Sequence, residues 1–240
     1  MKEKLALITG ASRGIGAAIA NTLAQNGYNL ILTCRFSEKD LILLKNKLEN
    51  QYHITCQTAI GDMSDPIFCD ALFKNITHLD VLINNAGISY IGLLADMSPK
   101  DWHHVIANNL DSVFLTSRLA IPKMLVRKEG SIINISSVWG NAGASMEVAY
   151  SASKGGVNAF TRALGKELAP SNIRVNAIAC GVIDTYMNRC FSDEERSAIT
   201  DEIPADRMGT AEEIAQAVLL LIQAPAYLTG QVITVDGGFL

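Results

Sequence analysis

The apolar run Leu5–Thr9 passes without a break into Gly10-Ala11-Ser12-Arg13-Gly14-Ile15-Gly16, and a helical pattern follows at once. Glycine permits a tight turn and lets a ligand approach the backbone closely. The helix start then offers free N–H groups and a positive dipole end to an anion such as a pyrophosphate. A strand, a glycine turn and a helix in this order form the opening of a βαβ unit. Such units are buried only when further strands pair in parallel and helices cover both faces.

The rest of the chain repeats that alternation. Strands are predicted at Leu5–Thr9, Asn29–Cys34, Ile54–Ala59, Val81–Asn84, Ser131–Ser136, Arg174–Ile178 and Gln231–Val235. Helices are predicted at about Ile15–Gln25, Glu38–Glu49, Pro66–Asn75, Pro99–Arg127, Tyr150–Leu168 and Ala211–Ile222. Gly27 suits a left-handed helix end, Ser98-Pro99 a helix start, and Thr210 with Glu213 a capping box. The expected fold is α/β: one doubly wound domain over residues 1–240, with a seven-stranded parallel sheet and helices on both faces. Residues 181–209 have no clear pattern and read as a mobile substrate flap before the last helix.

With 49% apolar residues the 240-residue chain builds a large core, which excludes general disorder. Its net charge of −4 gives no basic face, so neither nucleic acid nor an anionic membrane is expected as partner. The apolar start Leu5–Ile8 is too short for a signal peptide, and Ala217–Ile222 falls far short of the ~20 residues that span a bilayer. A cytoplasmic location is expected. Cys34, Cys56, Cys69, Cys180 and Cys190 are odd in number and lack a Cys-x-x-Cys pair, so buried thiols are expected. His53, His78, His103 and His104 show no ligand spacing, and no metal is expected.

The glycine spacing differs from the common Gly-x-Gly-x-x-Gly fingerprint. With Thr9 before it, the loop resembles the Thr-Gly-x-x-x-Gly-x-Gly of the short-chain dehydrogenase/reductase family. Asn84-Asn85-Ala86-Gly87 resembles that family's Asn-Asn-Ala-Gly, Ser137, Tyr150 and Lys154 match its Ser…Tyr-x-x-x-Lys, and Asn109 takes the place of its fourth catalytic residue. The likeness runs from Leu5 to Gly238. It implies a Rossmann fold and an oxidoreductase acting on CH–OH groups. It also implies a nicotinamide dinucleotide held by Gly10, Ser12, Arg13, Gly14, Ile15, Gly16, Asn85, Ala86, Gly87, Tyr150, Lys154, Gly181, Val182, Ile183 and Thr185. Cys180-Gly181 departs from the family's usual Pro-Gly, and a reactive Cys180 is a minor expectation.

An NAD enzyme usually places an acid near the end of the second strand. Thr33-Cys34-Arg35-Phe36 offers none. Arg13 and Arg35 are instead suited to clamp a 2′-phosphate, so the expected cofactor is NADP(H). Asp62-Met63 resembles the family pair that lies against the adenine.

Tyr150 and Lys154, four apart, emerge from one helix face. An ammonium ~4 Å away at an effective dielectric of ~20 would stabilise phenolate by ~4 kcal/mol, about three pKa units, bringing a phenol of pKa ~10 near working pH. Ser137 is expected to donate to a substrate carbonyl, and Asn109 to hold a water that relays protons to Lys154.

Ile203–Gly209, Glu212–Ala215 and Leu228–Gly238 resemble 3-oxoacyl-acyl-carrier-protein reductases. That implies a carrier-linked ketone of fatty acid synthesis, NADPH and a homotetramer, with Arg127 and Lys128 as carrier contacts. Val138-Trp139-Gly140 and Gly143–Tyr150 resemble reductases of a 5-aminopentanone group on elongation factor P, where Glu147 would pair with the amine. Met187 is a further candidate substrate contact. A small or steroid ketone, or an NADP-binding scaffold without turnover, are the remaining readings.

Overall fold

The computed structural model describes residues 3–188 and 191–240, without the side chain of Met187. The candidate Met187 contact and the thiol of Cys190 therefore lie outside the described part.

Seven strands form one parallel sheet: β1 (Lys4–Ile8), β2 (Tyr28–Cys34), β3 (Cys56–Ile60), β4 (Val81–Asn84), β5 (Gly130–Ser137), β6 (Ile173–Cys180) and β7 (Val232–Val235), in the order β3-β2-β1-β4-β5-β6-β7. The chain reverses direction across the sheet between β1 and β4, where Ala6, Leu7 and Ile8 stand beside Val81, Leu82 and Ile83. At such a switch point the loops beyond the strand ends diverge and leave a crevice.

Alternation along each strand feeds two cores. Ala6, Ile8, Leu30, Leu32, Val81 and Ile83 face one side; Leu7, Ile31, Leu82 and Ile132 face the other. The first side is covered by α1 (Gly14–Gln25), α2 (Glu38–Tyr52) and, last of the helices, α9 (Ala211–Gln223). The second is covered by α3 (Pro66–Lys74), α5 (Ser112–Leu125) and α7 (Val148–Leu168). Ile19, Leu23, Ile214 and Val218 pack in the first core, and Phe73, Met124 and Leu164 in the second.

Local chemistry sets the helix starts. Asp65 accepts from the Ile67 N–H at 2.9 Å ahead of α3, with Pro66 as its first residue. Ser98 accepts from the Asp101 N–H at 3.1 Å ahead of α4 (Pro99–Ile106). Thr210 and Glu213 form the expected capping box.

One expectation is refined and one corrected. The helix expected over Pro99–Arg127 runs unbroken to Leu125, but it contains a π turn: α4 ends at Ile106, the turn covers Ala107–Asp111, and α5 continues from Ser112 in helical backbone throughout. The Ser112 hydroxyl donates to the Asn108 carbonyl at 2.6 Å inside this turn. The stretch 181–209 is more built than its sequence suggested. Its ends are joined by a parallel bridge from Ile183 to Gly209. It contains α8 (Asp193–Asp201), which starts on a capping box of Ser192 and Glu195. The short helix α6 (Trp139–Ala142) lies between β5 and α7.

Candidate active site

The glycine loop rises from the end of β1, beside β4. Gly10 (φ +65°) and Gly14 (φ +55°) take left-handed conformations. A Cβ on Gly16 would collide with the Gly10 carbonyl oxygen, so the helix start presses against the loop itself. Asn85 stitches this loop to the end of β4. Its Nδ2 donates to the carbonyls of Thr9 (2.9 Å) and Gly10 (3.0 Å), and Thr9 Oγ1 accepts from the N–H groups of Asn85 and Ala86. Arg13, before α1, makes no side-chain cap and the first turn carries no acid. The N–H groups at this helix start fit a dinucleotide pyrophosphate, and the glycines let the loop pack closely enough to present them.

A cleft of about 660 Å³ runs from this loop along the carboxyl ends of the strands. Arg35, Phe36, Asp62 and Met63 line one end, and Ser137, Tyr150 and Lys154 line its middle together with Gly87, Gly181 and Val182. Ser12, Ile15, Ala86, Ile183 and Thr185 also line it, so the candidate cofactor residues from the separate motifs meet on one surface.

The two arginines are not free in the way the sequence suggested. Arg35 pairs with Asp62 at 3.0 Å and lies over the Phe36 ring. Asp62 also accepts from the Ser64 N–H and hydroxyl. Burial raises its pKa, but those hydrogen bonds and the guanidinium outweigh it and hold the carboxyl below its usual range. No acid stands at the end of β2 along the strand itself. β3 runs alongside, with Ile60 opposite Cys34, and brings Asp62 to Arg35. Arg13 stacks on the Tyr186 ring at 4.3 Å and is near enough to Cys34 to act on its thiol.

At the centre, Lys154 is buried and its Nζ donates to the Ile135 carbonyl at 2.8 Å. Burial lowers its pKa to about 8. The ammonium lies 5.6 Å from the Tyr150 ring centre. Burial pushes the phenol well above its ordinary value, with Cys180 and Glu147 adding to the rise and a hydrogen bond from Ser137 opposing it. The expectation of a phenol tuned to neutral pH is therefore corrected. The same burial that brings the two side chains together disfavours charge on both. Ser137 Oγ accepts from the Trp139 N–H at 3.2 Å.

Asn109, in the π turn, is buried. Its Oδ1 accepts from the Ile88 N–H at 2.8 Å, and its Nδ2 donates to the Ile88 carbonyl and to Ser153 Oγ. The side chain thus positions the segment after β4, where a Cβ on Gly87 would lie 3.2 Å from Asn109 Oδ1 and 3.6 Å from Lys154 Nζ. Both Nδ2 hydrogens are used, and Oδ1 keeps a second lone pair that could serve the expected water.

Cys180 is buried and its thiol is pushed up to about 12 by desolvation, which leaves it an inert packing group at neutral pH. Glu147 lines the cleft and its Oε2 accepts from Ser89 Oγ at 2.7 Å. Arg127 pairs with Asp80 at 2.9 Å, just ahead of β4. Arg127 and Lys128 precede β5, whereas Ser137 ends it, so they lie roughly 25 Å from Ser137 of the same chain, a strand of eight residues away. Sequence reasoning missed Ser89, Phe191, Ile199, Glu202 and Phe239 as lining residues. None belongs to a motif. Among the described residues no group of His, Cys, Asp and Glu is arranged to hold a metal, and no helix is long and apolar enough to cross a membrane.

Comparison with known proteins converges on one group. The short chain dehydrogenase family matches residues 4–196. The uncharacterized oxidoreductase YmfI of Bacillus subtilis is 40% identical over 239 residues, covering 99% of both chains. The 3-oxoacyl-[acyl-carrier-protein] reductase FabG of Aquifex aeolicus is 38% identical over 99% of this chain and 98% of its own. Among solved structures, a variant of actinorhodin polyketide ketoreductase with NADPH superimposes with a TM-score of 0.92 at 32% identity, covering 99% of this chain and 97% of its own.

Proposed function

This chain belongs to the short-chain dehydrogenase family, and from that premise we propose that it reduces a ketone to a secondary alcohol with NADPH, its lead substrate a 3-oxoacyl group carried on acyl carrier protein. The observation that carries the reading is the meeting of Ser137, Tyr150 and Lys154 in the cleft that the glycine loop borders. NADPH, when bound, supplies the hydride. Gly10, Gly14 and Gly16 seat its pyrophosphate, and Arg13 with Arg35 supports the 2′-phosphate. Arg35 keeps donors to spare beside Asp62, because a guanidinium carries five.

Burial suits Tyr150 to reduction. The phenol stays protonated at neutral pH, which is the form that gives a proton to the carbonyl oxygen. Ser137 donates a hydrogen bond to the same oxygen. The phenolate left behind faces the Lys154 ammonium. At 5.6 Å to the ring and an effective dielectric of ~20, that attraction is worth ~3 kcal/mol.

The carrier-linked substrate is supported by the naming of relatives that cover the whole chain. A second reading, an amine-bearing ketone such as the 5-aminopentanone group on elongation factor P, is favoured by Glu147. Glu147 and Glu202 both line the cleft, whose basic lining residues are Arg13, Arg35 and Lys154. An acid there suits an alkylammonium, and a desolvated ion pair is worth more than an exposed one. Glu147→Gln separates the two. For an amine-bearing ketone it is expected to raise KM about tenfold, equivalent to ~1.4 kcal/mol, with little change for acetoacetyl carrier thioester. Equal KM for the amine-bearing ketone in parent and variant overturns the second reading. A homotetramer in the cytoplasm completes the proposal.

A further inference from the structure

The strand order runs the cleft in one direction. The glycine loop follows β1, Arg35 follows β2, and Ser137 ends β5, so the substrate end lies toward β6 and β7. The residues after β7 return over that end. Asp236 closes a turn by accepting from the N–H groups of Gly238 and Leu240, both at 3.0 Å. Gly237 (φ +70°) and Gly238 (φ +87°) supply left-handed backbone for the reversal. Strands stand ~4.8 Å apart, so the turn carries the chain back about 10 Å, across β6 toward the end of β5. There the Phe239 ring meets Trp139 edge-on, with ring centres 5.6 Å apart and planes at 70°. Both rings line the cleft. Trp139 is tied to the reacting centre through its N–H, which donates to Ser137 Oγ.

We infer that Phe239, braced against Trp139, is the end wall of the substrate pocket and sets how long a chain the ketone may carry beyond its carbonyl. The inference rests on the ketone-reductase reading for what occupies this end. The turn at Asp236 is anchored independently of any ligand. A Cβ on Gly181 would lie 2.7 Å from the Asp236 Cα, so the loop after β6 and the turn after β7 are in contact. An edge-to-face aromatic pair is stabilising beyond its buried area. The ring is thus held in place as a wall.

The test is a chain-length series of N-acetylcysteamine thioesters, from acetoacetyl to 3-oxodecanoyl. Phe239→Ala is expected to shift the kcat/KM ratio toward 3-oxodecanoyl by about tenfold or more, the scale that a hydrophobic pocket reaches for small changes of fit. Phe239→Leu, which keeps an apolar side chain at the site, should shift it in the same direction by less. A ratio unchanged in both variants, with NADPH still bound, overturns the inference. If the parent reduces neither thioester, the function above fails for thioesters, and the wall is read by binding instead. Trp139 is one of two tryptophans, so Trp102→Phe leaves it as the sole indole reporter. Quenching of its emission by the non-reducible decanoyl thioester should then occur at lower concentration in Phe239→Ala than with Phe239 present. Equal affinity contradicts a wall.

Discussion

Tyr150→Phe is expected to lower ketone turnover by about 10³-fold, within the range that a positioned proton donor contributes. NADPH affinity should stay close to that of the parent, because the lost hydroxyl faces the substrate and Ser137. The ring itself remains to fill its place beside Lys154. The phenol is the natural donor here because burial keeps it protonated, with Ser137 hydrogen-bonded to it and the buried ammonium nearby. Steady-state turnover and cofactor fluorescence titration check the two halves separately. Turnover retained in a folded Tyr150→Phe protein would remove Tyr150 from the mechanism.

Lys154→Met is expected to do two things at once: abolish most turnover and raise the melting temperature. The folded pKa of about 8 lies below the usual value of 10.5, so the native state disfavours the charged lysine. At neutral pH, below both values, that difference is a destabilisation of about 3 kcal/mol, and it fades as pH rises from about 8 to 10.5, where the unfolded chain binds more protons. Methionine of similar length removes the buried charge and leaves one carbonyl, that of Ile135, without its lysine donor. The net gain should therefore be smaller than 3 kcal/mol, and it should shrink in alkaline buffer. Thermal denaturation at neutral and alkaline pH measures it. A melting temperature that falls at neutral pH would mean that the hydrogen bond and packing of Lys154 outweigh its desolvation.

Local sequence encodes part of this structure, and only the third dimension supplies the rest. The strands lie within about two residues of their expected places because each is a short apolar run between turn signals. The glycine loop, Asn85, Ser137, Tyr150 and Lys154 were legible because each occupies a fixed offset in a motif. The π turn at Asn109 was not, since an inserted residue leaves the helical apolar pattern nearly continuous on both sides. Helix α8 carries a sequence signal, Ser192 with Glu195, but its residues lack the apolar stripe that marks a helix. The Arg35–Asp62 pair joins residues on neighbouring strands, and a reading along β2 alone cannot place the acid. The phenol's protonation is hidden for a related reason: spacing on a helix gives proximity to Lys154, whereas the groups that act on the pair, Ile135 and Ser137 of β5 and Cys180 of β6, come from distant strands. Phe239 lies after the last strand in no motif, and only the turn at Asp236 shows that it reaches the cleft.

Ketone reduction with NADPH at Ser137, Tyr150 and Lys154 leaves an isotopic signature. NADPH carrying deuterium at the transferable position is supplied with acetoacetyl carrier thioester and with the amine-bearing ketone, and the products are examined by mass spectrometry. Deuterium is expected on the carbinol carbon of at least one product, formed at a rate that declines as pH rises through about 8 and Lys154 loses its proton. NADPH that binds while neither product gains deuterium would contradict it, and would make this chain a cofactor-binding protein without reductase activity toward these ketones.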